Sequence, residues 1–319
     1  MHGLLDKIYL NEIKMSSTYK EDSFAREYLG LWTGGSENSW FDYDKLSKYR
    51  GLVNPEKSEK IEENSNYFYL LSVDVARLTC QTVASVFKVY RRPTEFYMSL
   101  VNMYVLGKTA EEKHFGRQAI ALKKLIAAYN PDEVVIDGNG LGVGLLDFMI
   151  KPSMDYDGTL YPAYGCINDA EYKKIQDKDA VQMLYVLKAN GTTNSKIHGN
   201  CYSKINSGHV KFLIKEQEAK NKLLATKKGQ KMKPEERIAR LMPHEMTTKL
   251  FEEMANLRLK PTGNGMDINL EQINKRYTKD KFSSFEYGLW RIKEIEEEYY
   301  KKWRRKSKKR TLTFYTEGG

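Results

Sequence analysis

The hydrophobic pattern along the chain is weak up to residue 66 and strong from residue 67 onward. Residues 67–76 (YFYLLSVDVA), 81–91 (QTVASVFKVYR) and 95–106 (EFYMSLVNMYVL) are three runs rich in β-branched and aromatic side chains. Such runs predict strands, and their short connections predict an antiparallel meander. Residues 111–129 place Phe115, Ala119, Leu122, Ile126 and Ala127 at helical spacing, predicting an amphipathic helix. The piece 133–137 (EVVID) is apolar except at its ends, as expected of a strand buried on both faces. A helix over 141–150 and a short strand over 160–164 follow. Residues 178–258 read as mainly helical, with one strand at 210–214 and a basic loop at 227–233 (KKGQKMK), and 282–301 as a long closing helix. Three antiparallel strands followed by helix, strand, helix and strand predict an α/β fold, a mixed sheet with helices on both faces.

Composition sharpens this picture. The chain is 41% hydrophobic and 29% charged, ordinary for a globular protein, and 319 residues can hold one large domain or two moderate ones. It has no apolar run long enough to span a bilayer and no secretion-type N-terminus, so no membrane association is expected. Cys80, Cys166 and Cys201 are odd in number and widely spaced, which argues for a reducing compartment and against a disulfide framework. Residues 1–66 carry 9 Lys/Arg against 12 Asp/Glu and read as an arm with one short helix at 23–30 and a loop at 33–39; residues 67–300 read as the domain. The tail 301–319 opens with eight basic residues in ten (KKWRRKSKKR) around Trp303 and reads as disordered when free. The net charge of +10 lies entirely outside the arm and points to a polyanionic partner.

Three aspartates are the candidate chemistry. Strand alternation puts Phe68, Leu70, Ser72, Asp74 and Ala76 on one face of the first strand, so Asp74 is a carboxylate inside a hydrophobic run, flanked by small residues. Burying it is costly unless it is paired or metal-bound. Asp137 ends the run Val134-Val135-Ile136 directly before Gly138-Asn139-Gly140, at the carboxyl end of a strand where open α/β sheets bind ligands; the alternative is a turn aspartate capping the next helix. Asp280 stands at the start of the closing helix, where an N-cap is the ordinary role. Three carboxylates could hold two magnesium or manganese ions, the arrangement that hydrolyses phosphodiesters. Without metal, their mutual repulsion should raise at least one pKa.

Taken in order, Leu71-Ser72-Val73-Asp74-Val75-Ala76-Arg77, then Val135-Ile136-Asp137-Gly138-Asn139-Gly140-Leu141, then Lys279-Asp280-Lys281-Phe282-Ser283-Ser284, resemble the nuclease domain of tailed-phage terminase large subunits. The resemblance implies an RNase H-like fold from about Tyr67 to Tyr300, with Asp74, Asp137 and Asp280 as the metal-binding, catalytic acids. It implies a two-metal endonuclease that cuts double-stranded viral DNA during packaging, in the host cytoplasm at the procapsid portal. Implied partners are the portal protein, the small terminase subunit and an ATPase portion, whose edge the stretch 23–41 resembles. The turn at Leu78-Thr79-Cys80 departs from the family, whose members often have glycines there.

Other motifs are weaker. Asn102 to Thr109 (NMYVLGKT) lacks the first glycine of a phosphate loop and reads as a strand and turn, so ATPase activity is not expected of this chain. Gly138 to Gly144 lacks dinucleotide-binding spacing, His198, Cys201 and His209 lack a second cysteine pair for zinc, and Ser283-Ser284 has no triad partner. The alternative functions are another RNase H-like nuclease, of resolvase or transposase type, and a non-catalytic DNA-binding or docking module of the packaging motor.

Overall fold

A computed structural model describes residues 39–63, 66–76, 80–107, 109–260 and 267–313, with side chains as far as Lys302. The helix expected over 23–30, most of the loop over 33–39 and the turn at Leu78-Thr79 lie outside the described residues. In chain order the elements are α1 (Tyr43–Ser47), β1 (Arg50–Leu52), β2 (Tyr67–Asp74), β3 (Thr82–Arg91), β4 (Phe96–Leu106), α2 (Phe115–Tyr129), β5 (Glu133–Asp137) and α3 (Gly142–Met149). There follow β6 (Ser153–Met154), β7 (Leu160–Tyr161), β8 (Tyr164–Cys166), α4 (Ala170–Ile175), β9 (Val181–Leu187), α5 (Gly191–Asn206) and β10 (Val210–Leu213). The chain closes with α6 (Glu216–Leu224), α7 (Lys227–Gln230), α8 (Pro234–Ala255), β11 (Leu257–Leu259), β12 (Leu270–Gln272) and α9 (Asp280–Thr313).

Eight strands form one sheet in the order β1-β10-β4-β3-β2-β5-β9-β8. The meander β2, β3, β4 is antiparallel, while β5, β9 and β8 extend it in parallel from β2. This is the expected mixed sheet, and its central order β4-β3-β2-β5-β9 is the RNase H-like arrangement. The alternation expected of β2 holds: Phe68 and Leu70 enter a core with α5, α8 and α9, whereas Tyr69, Leu71 and Val73 enter a second core with α2 and α3. Helices therefore cover both faces.

Four expectations need correction. The tract read as mainly helical from residue 178 contains β9, a central strand between β5 and β8. Buried among other strands, its VQMLYVL run does not alternate, and period alone cannot tell such a run from a helix. The short strand expected over 160–164 is two elements, β7 pairing with β6 in a small hairpin and β8 in the main sheet. The basic loop at 227–233 contains the short helix α7. The basic tail, expected to be disordered, continues α9 to Thr313; lysine and arginine are good helix formers once a helix is started.

The described part of the arm is built into the same body. Phe41 and Leu46 are buried in the core, and β1 pairs in parallel with β10 at the sheet edge. One close approach positions the site: a Cβ on Gly288 would come within 2.3 Å of Phe87 Cε2 and 3.0 Å of Ser72 Cβ, so glycine lets α9 lie directly on β2 and β3.

Candidate functional site

The sheet topology brings two of the aspartates together. β2 and β5 are parallel neighbours with Val73 opposite Ile136, so Asp74 and Asp137 end adjacent strands at one edge of the sheet. Such strands lie about 4.8 Å apart. Asp280 reaches the same edge from α9, whose Ser284 Oγ donates to the Ser72 carbonyl (2.8 Å) and shares a 2.8 Å hydrogen bond with Ser85 Oγ.

Asp280 is not the N-cap of its own helix. Its Oδ2 accepts from the Gln81 backbone amide at 2.9 Å, tying it to the entry of β3. The open amides of α9 are met by Glu253 at the end of α8, whose Oε2 accepts from the backbone nitrogens of Lys281 (2.9 Å) and Phe282 (3.0 Å). Its Oε1 accepts from Lys281 Nζ and Thr278 Oγ1, each at 3.0 Å. A carboxylate at a helix N-terminus meets both the unpaired amides and the positive end of the helix dipole. Glu253 thus performs the capping role and leaves Asp280 facing the sheet edge.

Asp137 does not cap α3 either; Oδ1 accepts from the Asn139 amide at 3.0 Å in a tight turn. The glycine after this turn serves packing: a Cβ on Gly142 would sit 1.5 Å from the Asp137 carbonyl oxygen, so only glycine lets α3 start there.

The electrostatics follow from this convergence. Burial raises the Asp74 carboxyl well above its ordinary range, and the charges of Asp280 and then Asp137 raise it further, with Lys279 opposing. Burial raises Asp137 as well, against the Asn139 hydrogen bond and Lys279. One strand position below Asp74 on the same face, Ser72 Oγ is buried with no hydrogen-bond partner. Among the described residues, however, no three His, Cys, Asp or Glu side chains stand close enough together to hold a metal ion as placed. In donor type the group suits a hard divalent ion: carboxylate oxygens, crowded enough to repel one another and short of cationic partners. It fits such an ion in donor chemistry, and the side chains as placed do not close around one.

Sequence reasoning missed three participants. Glu286 on α9 is buried, adds to the repulsion on Asp74, and shares a 2.7 Å hydrogen bond with His198 Nδ1 on α5. Burial raises the Glu286 carboxyl and His198 opposes the rise. Tyr287 is raised by burial and by the charges of Asp137, Glu286 and Asp74. Glu253 is the third. The one available signal was a glutamate in the buried stripe Phe282, Phe285, Leu289, Ile292 of α9. The weaker motifs resolve differently: His198 binds Glu286, Cys201 is wholly buried, and His209 pairs with Glu95, so the three are engaged apart. Asn102 lies inside β4, donating to the Glu56 carbonyl at 2.8 Å.

No protein-family model and no curated protein sequence matches this chain. Its structure is similar to large terminase nucleases. The magnesium-bound nuclease of the thermophilic phage G20c aligns over 80% of this chain and 97% of its own at 13% identity, with a TM-score of 0.45. The nuclease domain of Thermus phage P74-26 aligns over 77% of this chain and 92% of its own at 14% identity and TM-score 0.41. The human cytomegalovirus terminase nuclease domain aligns over 80% of this chain and 95% of its own at 12% identity and TM-score 0.35. These likenesses are distant. No helix among the described residues is long and apolar enough to cross a membrane.

Proposed function

We propose that this chain is a metal-dependent endonuclease that cleaves double-stranded viral DNA during genome packaging, with Asp74, Asp137 and Asp280 holding two magnesium or manganese ions. The observation that carries the reading is Asp74, a carboxylate in a hydrophobic strand whose neighbours in space are two further carboxylates from separate elements. Such a group costs stability when metal-free, and a structural role would have supplied it with cations. Two divalent ions, when bound, supply an activated water and neutralise charge at the departing oxygen.

The chain's own residues hold and orient. Asn139 fixes the Asp137 carboxylate, Gln81 fixes that of Asp280, and Glu253 keeps α9 from claiming it. Lys279 is exposed beside Asp74 and Asp137, placed to meet a phosphate oxygen. Contacts of this kind address backbone charge and not base sequence. On this reading the chain works in the host cytoplasm at the procapsid portal, with the portal protein, the small terminase subunit and an ATPase portion as partners.

The test is nicking of supercoiled plasmid in manganese. The wild-type chain should nick, and Asp74→Asn should lose at least about a thousandfold in rate, roughly 4 kcal/mol of transition-state stabilisation. A wild type that nicks nothing, or an Asp74→Asn that nicks equally well, defeats the reading.

A further inference from the structure

The segment that follows β10 forms a basic lobe that the aspartate site does not use. Residues 215–240 carry nine Lys/Arg against four Asp/Glu, and the four lysines of 227–233 have no acidic residue among them. These four are exposed and form no ion pair with a described residue. The lobe is built. Thr226 Oγ1 caps α7 through the Gly229 amide (3.0 Å) and donates to the Leu223 carbonyl (2.8 Å), Gln230 donates to the Leu224 carbonyl (2.9 Å), and Arg237 to that of Met232 (3.2 Å). Its charge is therefore held in a fixed shape.

Its place in the fold ties it to the aspartates. β10 is parallel to β4, which the antiparallel meander makes parallel to β2. The C-terminal end of β10, from which the lobe emerges, thus points toward the sheet edge that carries Asp74 and Asp137, although its register ends it level with Leu70 and Leu71 in the middle of β2. Helix α8 links the two: His244 near its middle contacts the Ile214 carbonyl just past β10 (3.0 Å), and Glu253 near its end caps α9 beside Asp280. From Pro234 to Glu253 the helix rises at most about 28 Å, less if Pro243 bends it.

We infer that this lobe grips the phosphate backbone of the same duplex that is cut, about 8 base pairs from the scissile bond if α8 spans the separation, given about 3.4 Å per base pair. The inference rests on the nuclease reading for its substrate. The lobe's chemistry suits a nucleic acid better than a protein: within 215–240 Ile238 is the single exposed large apolar side chain, whereas the core of a protein interface is apolar.

The test uses the full chain with Lys227→Glu, Lys228→Glu, Lys231→Glu and Lys233→Glu combined, and the same four positions changed to Gln in a second variant. Circular dichroism and the thermal midpoint check that each is folded. In the Asp74→Asn background, fluorescence anisotropy with a 30-base-pair duplex should show at least tenfold weaker binding for the Glu variant. The slope of log affinity against log salt should fall by about 3.6 for four lost phosphate contacts. In the cutting background, KM should rise at least tenfold on the 30-base-pair duplex and far less on a 10-base-pair one, with kcat held.

Unchanged affinity and salt slope in both folded variants would overturn the inference. An equal KM rise on the two lengths would do the same, because it removes the spacing. Polyglutamate competing at lower charge concentration than duplex would assign the lobe to an acidic protein partner and also overturn it. A wild type that binds the duplex through the lobe but cuts neither length would instead defeat the nuclease reading and leave the lobe's role standing.

Discussion

The strands β2 and β3 hold a charged group near each end, one wholly buried and one half-buried, and the two are treated in opposite ways. Lys88, opposite Tyr69 in the ladder, is wholly buried, yet its ammonium donates to Glu62 (2.7 Å), the Lys60 carbonyl (3.0 Å) and Glu56 (3.4 Å). The rings of Tyr67, Tyr69 and Tyr90 also stand within 5.9 Å of it. Every demand of that charge is met from within the chain, and meeting it fastens residues 56–62 to the sheet. Asp74, opposite Val83, meets carboxylates where Lys88 meets partners. A buried charge that is fully paired serves the fold, whereas a half-buried carboxylate pressed by two others, with only Lys279 opposing, is the mark of a candidate site.

This contrast can be broken from either side. The largest effect expected is on cleavage: Asp280→Asn should cost at least about a thousandfold in plasmid nicking, roughly 4 kcal/mol, whereas Lys88→Met should leave the nicking rate of the folded protein within about threefold. If Lys88→Met abolished nicking in a protein shown to be folded, the division between the two charges would be wrong. Next, Lys88→Met should lose roughly 3 kcal/mol of unfolding free energy in urea, because its half-buried carboxylate partners Glu56 and Glu62 are left unpaired beside each other.

The smallest effect has the opposite sign. Metal-free Asp74→Asn should be more stable than wild type at neutral pH, since it removes a repelled charge. Each unit by which the folded pKa stands above the unfolded one is worth about 1.4 kcal/mol, or at least roughly 2 °C in thermal midpoint for a domain of this size. For a raised carboxyl, the folded state holds its proton after the unfolded chain has released it. The stability of the metal-free wild type should therefore fall as pH rises from the ordinary aspartate range through the raised pKa of Asp74, and level off above it. Melting curves in chelator across that range should show a smaller fall in Asp74→Asn; an equal fall would mean Asp74 is not the strained group.

Much of this was legible in the sequence because it is local. Asp74 stands out in any reading of 67–76, since strand alternation and a carboxylate among apolar residues need no tertiary knowledge. Asp137 is equally exposed to reading, at the end of an apolar run before a glycine turn. What stayed hidden depends on partners far along the chain. Glu253 caps a helix that begins 27 positions later, and Glu286 pairs with a histidine 88 positions earlier, so neither has a local pattern. Strand β9 was missed because burial on both faces over Met183 to Leu187 erased its alternation. The N-cap reading of Asp280 failed since the cap came from another helix.

Soaking crystals of the wild-type chain in manganese and locating the ions by anomalous scattering tests the central claim most directly. Two peaks about 3.5–4 Å apart, with carboxylate oxygens of Asp74, Asp137 and Asp280 as their ligands, are the expected result. Millimolar manganese that leaves this sheet edge without a peak, or that binds elsewhere while the three carboxylates stay apart, would contradict it.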